Sequence, residues 1–152
     1  MLTLWFKLVV KKEMQGECFL VNFADDFVAG FQYKSEAERY YKELKERMEK
    51  FGLELESSKS RLIEFGRFEE QNRSARGEHK PETFDFLGFT FYCSKNRKGG
   101  FAPKVQTSRK KFEQKVRAYK NWIYDNRNRP MREIIKELNV KLIGHYRYYG
   151  VT

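Results

Sequence analysis

From Cys18 to Phe31 the chain is apolar apart from Asn22 and one break, the adjacent carboxylates Asp25 and Asp26. Two short apolar arms around a polar tip have the pattern of a β-hairpin, and little else is open to such a segment. Neighbouring carboxylates repel each other, and apolar surroundings make the double charge harder to keep. A hard divalent cation such as Mg²⁺ takes oxygen ligands and reverses that balance. Two solvated turn aspartates satisfy the same pattern, so the pair alone leaves both readings open.

Charge placement narrows the choice. The 152 residues carry a net charge of +10. Residues 94–129 hold 12 Lys and Arg against 2 Asp and Glu, whereas residues 1–93 hold 15 against 17. One segment therefore accounts for the excess, which suits a polyanionic partner, above all nucleic acid. A solvated basic face is the plainer alternative. Cys18, Cys93, His79 and His145 are isolated from one another, which gives no zinc spacing and fits a reduced, cytoplasmic setting. No apolar run reaches the ~20 residues that span a bilayer. The start, Met1 to Phe6, lacks the basic region and cleavage site of a signal peptide. No membrane partner is expected.

Periodicity predicts the elements. Residues 2–11 read as the end of a helix, and Gly16 breaks the pattern. Strands Cys18–Asn22 and Phe27–Phe31 flank the turn region Phe23–Asp26. Ser35 and Glu38 form a capping box for a helix with the stripe Ala37, Tyr41, Leu44, Met48 and Phe51, closed at Gly52. Short strands are expected at Leu53–Glu56 and Leu62–Phe65, and an exposed loop over 67–83. The aromatic alternation of Phe84–Tyr92 changes phase at Leu87–Gly88, which predicts a bend or bulge. A strand at Phe101–Val105 follows. Thr107 or Ser108 caps a helix with the stripe Phe112, Val116, Tyr119 and Ile123. After a break at Asn126–Pro130, Met131, Ile134, Ile135, Leu138 and Leu142 mark a third helix. Hairpins and a helix come first and helices dominate later. The fold class is therefore α+β, with a boundary near residue 106.

Several of these segments agree with one family. Phe23-Ala24-Asp25-Asp26 resembles the Tyr-Ala-Asp-Asp signature of reverse transcriptases. Leu53-Glu54-Leu55, followed by Lys59-Ser60-Arg61-Leu62-Ile63, is similar to the next palm motif of that family. Phe84-Asp85-Phe86-Leu87-Gly88-Phe89 is similar to the primer-grip hairpin. Gly144-His145-Tyr146-Arg147-Tyr148-Tyr149-Gly150-Val151 resembles a thumb motif of reverse transcriptases encoded by bacterial group II introns. The motifs stand in the family's order and cover most of the chain. Phe23 replaces the usual Tyr, Asn22 sits where relatives often have Arg, and Ser60 replaces a usual Thr.

The resemblance implies a partial polymerase palm over 1–106, built of antiparallel hairpins packed on a helix, then a small basic helical thumb portion over 107–152. It implies an RNA-directed DNA polymerase (a nucleotidyltransferase) of group II intron or maturase type. The implied partners are an RNA template and a DNA primer, with intron RNA foremost, and dNTP as substrate. In the family, two Mg²⁺ ions align a primer 3′-hydroxyl with the α-phosphate of a dNTP. By motif match, Asp25 and Asp26 are the expected metal ligands and catalytic acids, Asp25 first. Lys59 is the expected lysine beside the triphosphate; a surface turn lysine is the alternative. Leu87, Gly88 and Phe89 are expected to position the primer end. Arg109, Lys110, Lys111, Lys115 and Arg117 are expected to hold backbone phosphates with strong salt dependence. Tyr146, Tyr148 and Tyr149 are expected as thumb core.

Complete enzymes of the family carry another metal-binding Asp upstream. The chain is accordingly expected to be truncated, inactive by itself, and complemented by an N-terminal fragment. The alternative is a non-catalytic, maturase-like RNA-binding remnant. A phosphorelay receiver also places an Asp pair after an apolar strand. It needs a doubly wound sheet and a phosphoacceptor Asp at the end of a later strand, whereas Asp85 lies inside an aromatic hairpin.

Overall fold

A computed structural model describes residues 2–78 and 80–150. His79 and Val151, the last residue of the thumb-like motif, lie outside the described residues, as do Met1 and Thr152. The fold is α+β. Helix α1 joins α-helical Leu2–Trp5, a π-helical turn at Phe6–Val10 and α-helical Lys11–Glu13. Strands β1 (Cys18–Phe23) and β2 (Asp26–Phe31) follow, then α2 (Lys34–Lys50) and α3 (Glu69–Ala75). Next come β3 (Thr83–Phe86), β4 (Phe89–Lys95) and β5 (Phe101–Thr107). Helices α4 (Arg109–Asn126) and α5 (Met131–Tyr149) complete the order. The sheets β1–β2 and β3–β4–β5 are antiparallel throughout, which removes the receiver reading.

Two compact units divide the chain. One runs to Phe65 and includes Glu69–Glu82; the other holds Gly66–Phe68 and continues from Thr83. The boundary expected near residue 106 falls at the end of β5. The β3–β5 sheet and α4 lie in one unit, within which Ser108 N–H donates to Gly88 O at 2.9 Å.

In the first unit, Trp5, Phe6, Val10, Cys18, Tyr40 and Leu44 form the buried core. A π-helical turn has i→i+5 bonds, and this brings Trp5 and Val10 toward one face. Tyr40 is the hub. Its ring lies 5.6 Å from those of Trp5 and Phe6 and 5.0 Å from that of Phe31. The expected stripe named Tyr41 and Phe51 instead. Tyr41 is half-buried and Phe51 is exposed, since Tyr40, four residues before Leu44, faces α1 and β2. The capping box is also corrected: Tyr33 occupies the N-cap with no side-chain cap. Glu36 instead accepts from Gln15 N–H at 2.6 Å and ties the helix start to the β1 approach. Gly52 ends α2 as expected, at φ +67°. Leu53 N–H reaches Met48 O and Gly52 N–H reaches Glu49 O, the pair of bonds of a Schellman motif.

Leu53–Glu56 and Leu62–Phe65 are not strands. A strand needs a ladder partner, and neither segment pairs with β1 or β2; the chain between them curls into a turn, with Ser60 N–H donating to Glu56 O at 2.9 Å. The expected loop over 67–83 contains α3. Charge holds it: Arg76 clasps Glu64 and Arg73 pairs with Glu78 and Glu82.

The second unit is thinly cored. Ile134 is its one buried apolar side chain among the described residues. Phe84 and Phe91 stack across β3 and β4, ring centroids 4.9 Å apart. On α4 the half-buried positions are Val116, Tyr119, Trp122 and Asn126, while the expected Phe112 and Ile123 are exposed. On α5 they are Glu137, Leu138, Leu142, His145 and Tyr149, while Met131 and Ile135 are exposed. Helix α5 runs through Gly144 to Tyr149, so the thumb-like motif is helical over these residues.

Candidate active site and nucleic-acid surface

The apolar arms of residues 18–31 build a ribbon whose tip is Ala24-Asp25. Phe23 pairs with Asp26, so two residues make the turn. Ala24 takes φ +49°, a left-handed conformation at the first turn position that primed hairpin turns demand and Gly normally fills. Opposed residues share a face. Cys18, Leu20, Phe27, Ala29 and Phe31 lie on the core face. Phe19, Val21, Phe23, Val28, Gly30 and Asp26 share the other face, on which Phe19, Val21 and Phe23 are 59%, 50% and 63% exposed. Phe19 lays its ring over Gly30, where any Cβ would collide with it. Asp25 thus projects from the turn and Asp26 from the first residue of β2, both exposed.

Carboxylates are the donors that Mg²⁺ prefers. Among the described residues, however, no three His, Cys, Asp or Glu side chains converge into a metal-holding set. The ribbon tip therefore presents two exposed carboxylates with no third such donor gathered beside them among the described residues.

Lys59 comes into electrostatic reach of Asp26. Its pKa is raised first by the hydrogen bond to Glu56 and, more weakly, by the Coulomb attraction of Glu56 and then of Asp26. The ammonium pairs with Glu56 at 2.8 Å. Glu56, which also accepts from Ser58, is lowered by the same contacts. Sequence reading passed over Glu56, although its i,i+3 spacing from Lys59 was a signal.

Leu87 and Gly88 both take left-handed conformations, φ +52° and +82°. They are the two residues of a tight hairpin turn between Phe86 and Phe89, which pair directly. This corrects the expected bend or bulge: two successive positive φ values reverse the chain completely. The turn is held from several sides. Tyr148 OH donates to Leu87 O at 3.0 Å. Phe89 packs against the rings of Tyr148 and Tyr149, at 5.7 and 5.3 Å. Asp85 accepts from Ser108 Oγ at 3.1 Å and from Thr90 Oγ1. Ser108 stands at the expected N-cap position but spends its hydroxyl on Asp85. A Cβ on Gly88 would meet Tyr149 Oη at 3.0 Å, so the space beside Gly88 is filled from within the chain. The three tyrosines expected as thumb core are placed differently. Tyr146 and Tyr148 are exposed, Tyr149 half-buried, and the last two clamp the turn.

Arg109, Lys110, Lys111, Lys115 and Arg117 are all exposed on α4. At about 100° per residue, Lys111 and Lys115 share the side of Ala118 and Trp122, whereas Arg109, Lys110 and Arg117 point the other way. Arg109 is paired with Glu113 at 2.8 Å. The basic residues thus form two banks of one helix. No helix among the described residues is long and apolar enough to cross a membrane.

Residues 4–91 match the family model described as reverse transcriptase (RNA-dependent DNA polymerase). No curated protein and no solved structure matches the chain.

Proposed function

The chain belongs to the reverse transcriptase family, and on that premise we propose that it supplies the catalytic-hairpin part of a group II intron-type polymerase palm, over 1–106, with an adjoining basic thumb portion over 107–152. The observation that carries this reading is the ribbon tip, where Asp25 and Asp26 are adjacent and both exposed and Lys59 feels the charge of Asp26. The family works with Mg²⁺. When bound, the metal neutralises phosphate charge and helps form the attacking alkoxide. Asp25 is its first ligand in this chain and Asp26 the more peripheral one. Lys59 neutralises triphosphate charge. The Leu87-Gly88-Phe89 turn seats the primer end, and the two basic banks of α4 hold template–primer phosphates. The expected setting is the cytoplasm.

Two carboxylates do not close a two-metal site, so synthesis requires a further carboxylate from a complementing palm segment. The ribbon supports this. Two strands alone are marginal in water, and the face bearing Asp26 leaves Phe19, Val21 and Phe23 exposed. The lack of a third metal-binding group among the described residues also favours a second reading, a maturase-like RNA-binding remnant.

Primer extension on an RNA template, with Mg²⁺ and dNTPs, separates these readings. The chain alone should give no product. Addition of a palm segment carrying the further carboxylate should restore synthesis, and Asp25→Ala should abolish it. RNA binding without restored synthesis favours the remnant, and product from the chain alone refutes the need for a partner segment.

A further inference from the structure

Between α4 and α5 lies an open groove of about 630 Å³, lined by Lys115, Tyr119, Trp122, Lys141, Gly144 and His145 among others. Its volume falls in the range of small-ligand sites, about 300–1,000 Å³. The lining combines positive charge with aromatic surface. Lys141 Nζ stands 5.1 Å from the centre of the Trp122 ring, and Lys115 adds a second ammonium. Tyr119 OH donates to Lys141 O at 3.1 Å and fixes the two helices at this point.

Gly144 is the informative residue. It sits inside α5, where glycine is destabilising relative to alanine. Nothing lies within 4 Å of the position its Cβ would take. No described neighbour therefore requires the missing side chain. Its absence does one visible thing, which is to widen the groove. The neighbouring His145, which also lines the groove, has a buried Nδ1 with no hydrogen-bond partner among the described residues.

We propose that this groove receives one nucleotide of single-stranded RNA, whose base displaces the Lys141 ammonium from over the Trp122 ring and whose phosphate is then held by Lys115 and Lys141. An aromatic face flanked by ammonium groups matches the chemistry of a base and its phosphate. The strongly basic 94–129 segment, which contributes Lys115 and Trp122, attracts such a strand. The inference rests on the nucleic-acid reading above and adds a base-contacting site to its phosphate contacts.

Trp122 reports on the site directly. In a Trp5→Phe background it is the remaining tryptophan. Titration with a single-stranded RNA octamer should quench its fluorescence, whereas heparin and an RNA duplex at matched ionic strength should not. Gly144→Leu fills the groove and should weaken single-strand binding about tenfold, within the range expected for losing one base–aromatic stack, with heparin binding changed less than about twofold. Gly144→Ala should raise Tm by about 2–4 °C through helix propensity, and circular dichroism checks that both variants are folded. Equal quenching by heparin or duplex, or unchanged RNA affinity in Gly144→Leu, overturns the proposal. RNA retained on filters with Trp122 unquenched sinks the base site alone; no RNA retained at all sinks the nucleic-acid reading with it.

Discussion

Gly88→Ala tests how the Leu87–Gly88 turn is built. The backbone at this position has φ +82°, a region in which an L side chain costs about 1–2 kcal/mol. The new methyl would stand 3.0 Å from Tyr149 Oη and 3.5 Å from its Cε1. Tyr149 cannot simply swing aside, because its ring packs on Phe89 at 5.3 Å and on His145 at 4.8 Å. Overpacking at its mild end adds about 1 kcal/mol, for a total loss of about 2–3 kcal/mol. Urea unfolding followed by Trp122 fluorescence, again in the Trp5→Phe background, reads the second unit, and the loss should appear as a lower midpoint with an unchanged slope. Tyr149→Phe removes the hydroxyl and should return the steric part, about 1 kcal/mol, but none of the backbone part. A Gly88→Ala protein within about 0.5 kcal/mol of its parent, an ordinary surface effect, refutes the reasoning. Complete rescue by Tyr149→Phe refutes the backbone half of it.

Three further outcomes follow from the first unit. Leu44→Ala, at a side chain 1% exposed, should cost about 2–5 kcal/mol in urea unfolding; a loss below about 1 kcal/mol means that the core is not centred there. Tyr40→Phe should leave stability unchanged or raise it by up to about 1 kcal/mol, because the Tyr40 hydroxyl is buried without a hydrogen-bond partner among the described residues. A clear loss shows that the hydroxyl is bonded. Glu64 is held down to about 2 from 4.5, chiefly by its hydrogen bonds with Arg76 and then by that with Lys34, against the opposing effect of burial. Because the folded value is depressed, its stabilisation is complete above the ordinary carboxylate range and is lost as pH falls through about 2. Urea midpoints of the parent and Glu64→Gln should therefore differ at neutral pH and converge toward that acid limit, and a constant gap refutes the assignment.

Part of the molecule was legible along the chain because short-range rules govern it. The ribbon of residues 18–31, the placement of its acids at the tip and the closing of α2 at Gly52 depend on neighbours within a few residues. The concentration of positive charge in residues 94–129 is a property of composition alone.

Choices between local near-equals were settled elsewhere. Tyr40 and Tyr41 have equal claims to a helical stripe. Trp5, Phe6 and Phe31, distant in sequence, select Tyr40. Ser108 has the chemistry of a helix cap, yet Asp85, 23 residues away, takes its hydroxyl. Leu53–Glu56 has the composition of a strand but pairs with no strand among the described residues. Leu87 tolerates a left-handed backbone because Tyr148, 61 residues later, holds its carbonyl. Periodicity and turn chemistry fix which conformations a segment can adopt. Burial and hydrogen bonding reach across the chain, and only the assembled fold decides which of those conformations finds a partner.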